Sequence, residues 1–406
     1  MKILQISPHL GVPPNTGANI SVFGITKYLS LLGHEIDFVS YRKNFNLEST
    51  LKDLRPYCDP TILDIQTGNN VISAIFNVFS HVPYNVSKYI NRDLREFIIK
   101  YFKNNKPDII HIDHLHMAWI VDDIRELTNA PIVLREHNVE TNIMKRFSEK
   151  ESNILLRWYS ARQAKKLENY EVKYCRKFNK CIMITSVDEQ QIRQLDSRID
   201  TTTIEAGIDE HLLNYRKKEV IPKSLFHIGS LDWYPNKDGL EWFLNSVMPS
   251  LSEQIPEIKL FIYGSGAEKL KIDSKVKDNI EICGFVSNLA QNILNKELMI
   301  VPLRIGSGIR LKILEMLAMG CNILTTEIGK EGINAENKKH LLIGNSAEEF
   351  KSIIIDYLNG KYDKELISNN AKDLIRESYT WPIIAKRFEN EYMKIIEFNK
   401  MRNIAW

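Results

Sequence analysis

Cysteine is scarce: five residues in 406, at positions 58, 175, 181, 283 and 321, odd in number and never spaced C-x-x-C. That pattern excludes a disulfide framework and a zinc ribbon, and it fits a reducing compartment. Long apolar runs are missing, and no stretch approaches the roughly 20 residues needed to span a bilayer. The opening MKILQISPHL has no extended apolar segment, so it is expected to be a first β-strand and not a signal peptide. Charge of one sign is also lacking. Lys plus Arg number 54 and Asp plus Glu 51, a net +3 that gives no case for nucleic acid as a partner. Low-complexity segments and short repeats are absent. These absences predict a cytoplasmic globular protein.

The remaining composition is ordinary, with 44% hydrophobic and 26% charged residues. A chain this long exceeds one ordinary core, so two domains of about 200 residues each are expected. Residues 1–200 hold 27 basic and 23 acidic residues. The slight basic excess therefore sits in the N-terminal half, which hints at an anionic or membrane-surface partner there.

Short apolar runs alternate with longer amphipathic stretches, the pattern of parallel strands joined by helices. KILQIS, HEIDFVSY, PDIIHI, APIVLREH, KCIMITS and TTTIEAGID read as strands of a first series. ANISVFGITKYLSLL reads as a helix stopped by Gly33, and residues 142–180 as one long charged helical stretch. NYRKKEVIPK breaks the pattern and predicts a linker near 215–223. A second series follows in SLFHIGS, KLFIYGS, IEICGFV, LMIVPL and NILTT, with helices at 239–251 and 309–319. The expectation is an α/β chain of two Rossmann-like, doubly wound parallel-sheet domains facing a cleft, 1–214 and 215–382, with ligands at the carboxyl ends of the strands.

The densest chemistry lies in IVPLRIGSGIRLKILEMLAMGCNILTT. A buried strand enters a loop with Gly306 and Gly308, and a helix starts near Ile309. Glycines let a ligand approach the backbone, and a helix N-terminus favours phosphate. Arg310 and Lys312 add two cations on the first turn. Glu315, one turn on, is suited to accept hydrogen bonds from a ribose diol. Gly320 closes the helix.

This segment resembles the C-terminal signature of retaining GT-B glycosyltransferases, specifically glycosyltransferase family 4 (group 1). Glu315 matches the second glutamate of the family's paired-glutamate motif, which implies ribose binding. Ser307 stands where the first glutamate is usual, so donor-sugar recognition departs from the pattern there. FHIGSLDWYPNKDGLEWF resembles the family's entry to the second domain, with Ser230 replacing a phosphate-binding arginine and Lys237 at the second basic position. FIYGSG and ICGFVSN resemble its next strand-loops, and the latter implies a nucleotide-base frame at Gly284, Phe285 and Val286. For Phe285 alone, simple packing is the competing reading. Ile309 and Leu311 complete the implied donor-nucleotide set with Gly308. EAGIDE resembles the stretch that precedes the family's linker, and SYTWPIIAKRFENEY its last segment. The resemblance thereby implies a final helix, about 383–406, that packs back on the first domain.

In the first domain, Gly17 occupies a loop that in the family approaches donor phosphates and sugar; a plain turn glycine is the equal alternative. His137, at the end of PIVLREH, resembles the family histidine near the reacting sugar, and with Arg310 and Lys312 it makes the candidate catalytic set. His111, His114 and His116 form H-x-x-H-x-H. On a strand His114 and His116 would share a face, but no cysteine or carboxylate cluster completes a metal site, and the family works without metal. His116 is the candidate on the acceptor side. The cations between 142 and 180 read first as a solvated helix and second as a surface for anionic lipid.

The resemblance implies transfer with retention from a UDP- or GDP-sugar, with no cofactor. The diphosphate leaves against Arg310, Lys312, Lys237 and the helix start, and the acceptor hydroxyl attacks on the leaving-group face. The acceptor class is a saccharide or lipid-linked saccharide in cell-envelope polysaccharide synthesis, with peripheral contact at the inner face of the membrane. Two alternatives share the fold: a nucleotide-sugar epimerase, and a non-catalytic partner subunit.

Overall fold

In a computed structural model of the chain, every residue is described except 15, 43–46, 66, 69, 217, 218, 287, 307, 405 and 406. The chain divides into two compact units, Met1–Gly207 with Trp381–Trp406, and Ile208–Thr380.

The first unit runs β1 (Lys2–Ser7), α1 (Gly17–Leu31), β2 (Glu35–Arg42), α2 (Leu47–Leu54), β3 (Asp59–Asp64), α3 (Val71–Asn77), α4 (Tyr84–Ser87) and α5 (Arg92–Asn104). It continues through β4 (Ile109–Asp113), α6 (Val121–Arg125), β5 (Ile132–Glu136), α7 (Glu140–Lys150), α8 (Ile154–Cys175), β6 (Lys180–Met183), α9 (Ser186–Leu195) and β7 (Thr201–Thr203). All seven strands are parallel, in the order β3-β2-β1-β4-β5-β6-β7. The central strands are mostly apolar because helices cover both faces; every residue of β4 and β5 is buried, including His111, Asp113, Arg135 and Glu136. Thr16 caps α1 by accepting the Asn19 N–H, and Gly33 at φ 87° turns the chain after the helix.

Two expectations change here. The 142–180 stretch is not one helix. It breaks at Glu151–Asn153, where the Asn153 side chain accepts the N–H groups of Leu155 and Leu156 and so starts α8 anew. β3 was not foreseen: it is a half-exposed edge strand, the one place where Pro60 is tolerated in a ladder.

The second unit runs β8 (Ser224–Ile228), α10 (Tyr234–Ser246), α11 (Met248–Gln254), β9 (Lys259–Tyr263), β10 (Ile280–Gly284), α12 (Leu289–Ile293) and β11 (Leu298–Val301). It ends with α13 (Leu311–Ala318), β12 (Asn322–Thr325), α14 (Glu327–Lys330), β13 (Leu342–Ile343), α15 (Ala347–Leu358) and α16 (Lys364–Ser378). Its six parallel strands are ordered β10-β9-β8-β11-β12-β13. The unit begins at Ile208, ahead of the polar stretch read as a linker. Leu212, Leu213 and Tyr215 pack against its core, and the Lys372 ammonium donates to the carbonyls of Leu213 and Tyr215, at 3.5 and 2.8 Å. A polar composition hid that anchoring.

The last helix, α17 (Trp381–Ile404), belongs to the first unit. Trp381, Ile384, Phe388 and Tyr392 enter the same buried cluster as Val22, Ile25 and Phe38. Gly24 permits the approach of α1 to α17, since a Cβ there would lie 2.1 Å from the Trp381 ring.

Candidate active site

In each unit the strand order reverses beside the first strand, between β1 and β4 in one and between β8 and β11 in the other. Loops leaving two such strands diverge to opposite faces of the sheet and open a crevice at the carboxyl ends. Several of the described predicted site residues, among them Arg310, Lys312, Glu315 and His137, lie at these two places.

In the second unit, β8 leads into Gly229–Trp233 and α10, and β11 into the Pro302–Arg310 loop and α13. The second loop packs closely on α10. A Cβ on Gly239 would lie 2.2 Å from the Pro302 carbonyl oxygen, so only glycine lets α10 sit there. Arg310 occupies the N-cap position of α13 and is buried at 6% exposure. Its guanidinium donates to the Gly308 carbonyl at 2.5 Å and lies 5.8 Å from the centre of the Trp233 ring. The helix itself begins at Leu311 and not near Ile309, because Arg310 already has non-helical angles, φ −96° and ψ 88°.

Lys312 turns back toward β8. Its ammonium donates to the Ile228 carbonyl at 3.0 Å and to the Asn236 side-chain oxygen at 2.8 Å, and Asn236 in turn donates to the Ser230 carbonyl at 2.9 Å. Lys312 therefore ties both loops together. Burial, then the neighbouring Arg310 charge, lowers its pKa to about 7. Glu315 lies one turn on, and burial, then the Asp209 carboxylate, raises its pKa to about 7. His227, fully buried under Lys312, has its pKa lowered to about 3 by burial and by that ammonium.

The other expected donor residues are more peripheral. Lys237 is half exposed, with its ammonium 3.9 Å from Glu241 one turn along α10. Gly284 has φ 67° and open space where a side chain would be, and Val286 is partly buried against the core. Phe285 is 84% exposed, which overturns the packing reading of that residue. A Cβ on Gly306 would meet the Arg310 guanidinium at 2.5 Å. Ser307 lies outside the described residues.

In the first unit, the carboxyl ends of β1, β4 and β5 bring imidazoles together. His114 and His137 stack with ring centres 3.7 Å apart, and His9 meets His114 edge-on at 4.8 Å. His114 and His116 are not on a strand, so the shared face that a strand would have given them does not arise. β4 ends at Asp113, His114 takes φ 65°, and His116 lies in the 3-10 turn Leu115–Ile120. His116 approaches Glu140 at 3.9 Å and the Tyr89 ring at 5.2 Å. Gly17 is exposed at the first position of α1.

Asp113 is the hub that the sequence reading missed. One carboxylate oxygen lies 3.1 Å from His111 Nε2, 3.4 Å from His137 Nε2 and 3.8 Å from an Arg135 nitrogen; the other accepts from Gln5 at 2.9 Å. Burial opposes the charge on Asp113, but His111, His137 and Arg135 together hold its pKa well below the usual carboxylate range. Burial lowers the His137 pKa to about 4, despite its bond to Asp113. A neutral His137 then donates Nε2–H to Asp113 and presents Nδ1 as an acceptor. The available signal was a set of charged residues, Asp113 and Arg135-Glu136, ending two central strands in which His111 is the one other polar residue. Among the described residues no cluster of His, Cys, Asp and Glu has the makings of a metal site.

Comparison with known proteins agrees along nearly the whole chain. Residues 15–212 match the family model described as Glycosyltransferase Family 4, and residues 222–360 match the one described as Glycosyl transferases group 1. An uncharacterized 44.6 kDa protein in the cps region of Klebsiella pneumoniae is 25% identical over 394 residues, covering 93% of this chain and 96% of that protein. Among solved structures, TarM superposes with a TM-score of 0.69 at 14% identity, over 96% of this chain and 98% of its own. Anabaena HepE in complex with UDP gives 0.68 at 13%, over 97% and 100%. Sucrose-phosphate synthase from Thermosynechococcus elongatus gives 0.66 at 15%, over 98% and 100%. These likenesses show the GT-B fold of two parallel-sheet α/β domains.

Proposed function

Because the chain belongs to the group 1, family 4 glycosyltransferases, we propose that it moves a hexose-type sugar, with retention, from a UDP- or GDP-sugar to a saccharide or lipid-linked saccharide. The observation that carries the donor assignment is the start of α13. Arg310 stands at the N-cap position of a helix entered through a glycine-bearing loop, and Lys312 and Glu315 follow within two turns. Arg310, Lys237, Lys312 and the helix N-terminus are assigned the charge of the departing diphosphate, with no metal ion. Burial and Arg310 lower the Lys312 pKa to about 7, and an anionic diphosphate beside it would favour its charged form. Glu315 is assigned the ribose diol, and Gly284, Phe285, Val286, Gly308, Ile309 and Leu311 the rest of the nucleotide. Gly17, Gly306 and Ser307 are assigned the donor sugar and phosphates.

In the first unit, His137 is assigned a hydrogen bond to a sugar hydroxyl through its unprotonated nitrogen, and His116 a place on the acceptor side. HepE was solved with UDP, with UDP and glucose, and with UDP-glucose, and Staphylococcus aureus TarM with UDP and α-GlcNAc-glycerol; both support a nucleotide-sugar donor and a saccharide acceptor here. The relative in a cps region supports a polysaccharide setting. No helix among the described residues is long and apolar enough to cross a membrane. We assign the protein to the cytoplasmic side, peripheral to the inner face.

The test is incubation with a panel of UDP- and GDP-sugars, following nucleotide release with and without lipid-linked acceptors, and thermal protection by each nucleotide. Transfer or slow donor hydrolysis with one donor is expected. No binding of any nucleotide would sink the donor assignment, and interconversion of the free donor's sugar would favour an epimerase instead.

A further inference from the structure

Ten of the 25 large apolar side chains that stand exposed among the described residues lie in two short segments of the first unit. One is α3 and the turn after it, where Ile72, Ile75, Phe76 and Phe79 are 59–83% exposed. Their spacing of i, i+3, i+4, i+7 places all four on one helical stripe, and that stripe faces solvent. The other segment joins the end of α7 to the start of α8, with Ile143, Phe147, Ile154, Leu155, Leu156 and Trp158 exposed.

The two segments are neighbours. From the middle of α8, Arg162 donates to the Val78 carbonyl at 3.3 Å, Gln163 donates to the Asn77 side chain at 3.0 Å, and the Lys166 ammonium reaches the Asn77 carbonyl. Concentrated apolar exposure of this kind marks an interaction surface.

Its charge is one-sided. Residues 142–166 contain seven Lys or Arg and two Glu. From Ile65 to Arg92 there is no acidic residue, and Lys88 and Arg92 are basic. Lys145 and Lys165 share Glu168, each at 2.6 Å, so even that pair leaves a net positive charge. A second copy docked symmetrically would set this basic rim against itself.

We propose that the α3 stripe and the α7–α8 corner seat the protein on an anionic lipid bilayer. The apolar side chains enter the boundary between headgroups and acyl chains, and the surrounding cations face anionic headgroups. This deepens the peripheral placement proposed above by naming its surface, and it does not depend on the donor assignment.

The full chain is sedimented with vesicles of phosphatidylcholine alone and of phosphatidylcholine mixed equally with phosphatidylglycerol, without donor or acceptor. Binding to the mixed vesicles that weakens with salt is expected, since each cation near an anionic surface contributes roughly fivefold. F76S/F79S and L155S/W158S, both at exposed positions, are each expected to cut binding at least about tenfold while unfolding at the wild-type temperature. The inference is overturned if the wild type ignores anionic vesicles or if both variants bind as well as wild type. It is also overturned if the wild type forms dimers that these variants abolish. Nucleotide protection is measured on the same samples. Intact protection without vesicle binding sinks this inference alone, and vesicle binding without nucleotide protection sinks the donor assignment alone.

Discussion

Replacing Glu315 with glutamine separates stability from binding. The carboxyl is held with a pKa of about 7, against an ordinary 4.5, by burial and by Asp209. A raised carboxyl pKa contributes stability that is complete below the unfolded value near 4.5 and is lost as pH rises through about 7. Above pH 7 the folded protein therefore carries a strained carboxylate. The gap of roughly 2.5 units corresponds to about 3 kcal/mol. Solvent screening of a partly exposed group reduces this to about 1–3 kcal/mol. Glu315→Gln should thus stabilise the protein at pH 8, by roughly 2–4 °C in Tm for each kcal/mol in a domain of this size. At pH 4, where the native group is protonated in both states, the two proteins should unfold alike. The nucleotide should respond in the opposite direction. Loss of a charged acceptor for the ribose diol removes about 1.5–3 kcal/mol, weakening nucleotide binding roughly ten- to a hundredfold. Thermal unfolding at both pH values, with and without the nucleotide that protects best, measures all of this. A variant less stable than wild type at pH 8, or one with undiminished nucleotide protection, would refute the reasoning.

Arg310→Ala removes the buried cation at the start of α13 and should lower nucleotide-release turnover by about two to three orders of magnitude, read in the donor panel. Gly239→Ala forces a Cβ to within 2.2 Å of the Pro302 carbonyl, a backbone atom that cannot rotate away. It should destabilise by about 1–3 kcal/mol and lower Tm, and a Tm equal to wild type would show that α10 is not closely packed on the Pro302 loop. With its pKa near 4, His137 is neutral from pH 5 upward. Turnover should then show no inflection near pH 6.5 that His137→Gln removes; if such an inflection exists, the buried, Asp113-bonded state of the ring is wrong.

Much of the architecture was legible because it is locally encoded. KILQIS, PDIIHI and LMIVPL are mostly apolar, since parallel strands are covered on both faces, and Gln5, Ser7 and His111 are the buried polar exceptions. The break at Asn153 escaped notice because the charges on either side are continuous, and a capping asparagine is a weak signal within a polar run. β3, with Pro60 in it, gives no clear strand pattern and is held only at the sheet edge. The α13 segment stood out as a candidate site because glycines, cations and a carboxylate are close in sequence, and the structure buries Arg310 and Lys312 together at its start.

The sequence by itself determined the alternation of strands and helices, two successive βα series, and the residue types at the carboxyl ends of the strands. Only the tertiary structure decided what those residues are chemically. Asp113 becomes a hub because β1, β4 and β5 bring Gln5, His111, Arg135 and His137 to one carboxylate. Lys312 becomes a tie between loops because Ile228 and Asn236, 84 and 76 positions away, supply its acceptors. Trp381 joins the first unit across the whole length of the second because Gly24 leaves room for it. Periodicity is a property of neighbours along the chain. Burial and proton affinity depend on neighbours in space, and those are set only when the sheets are assembled.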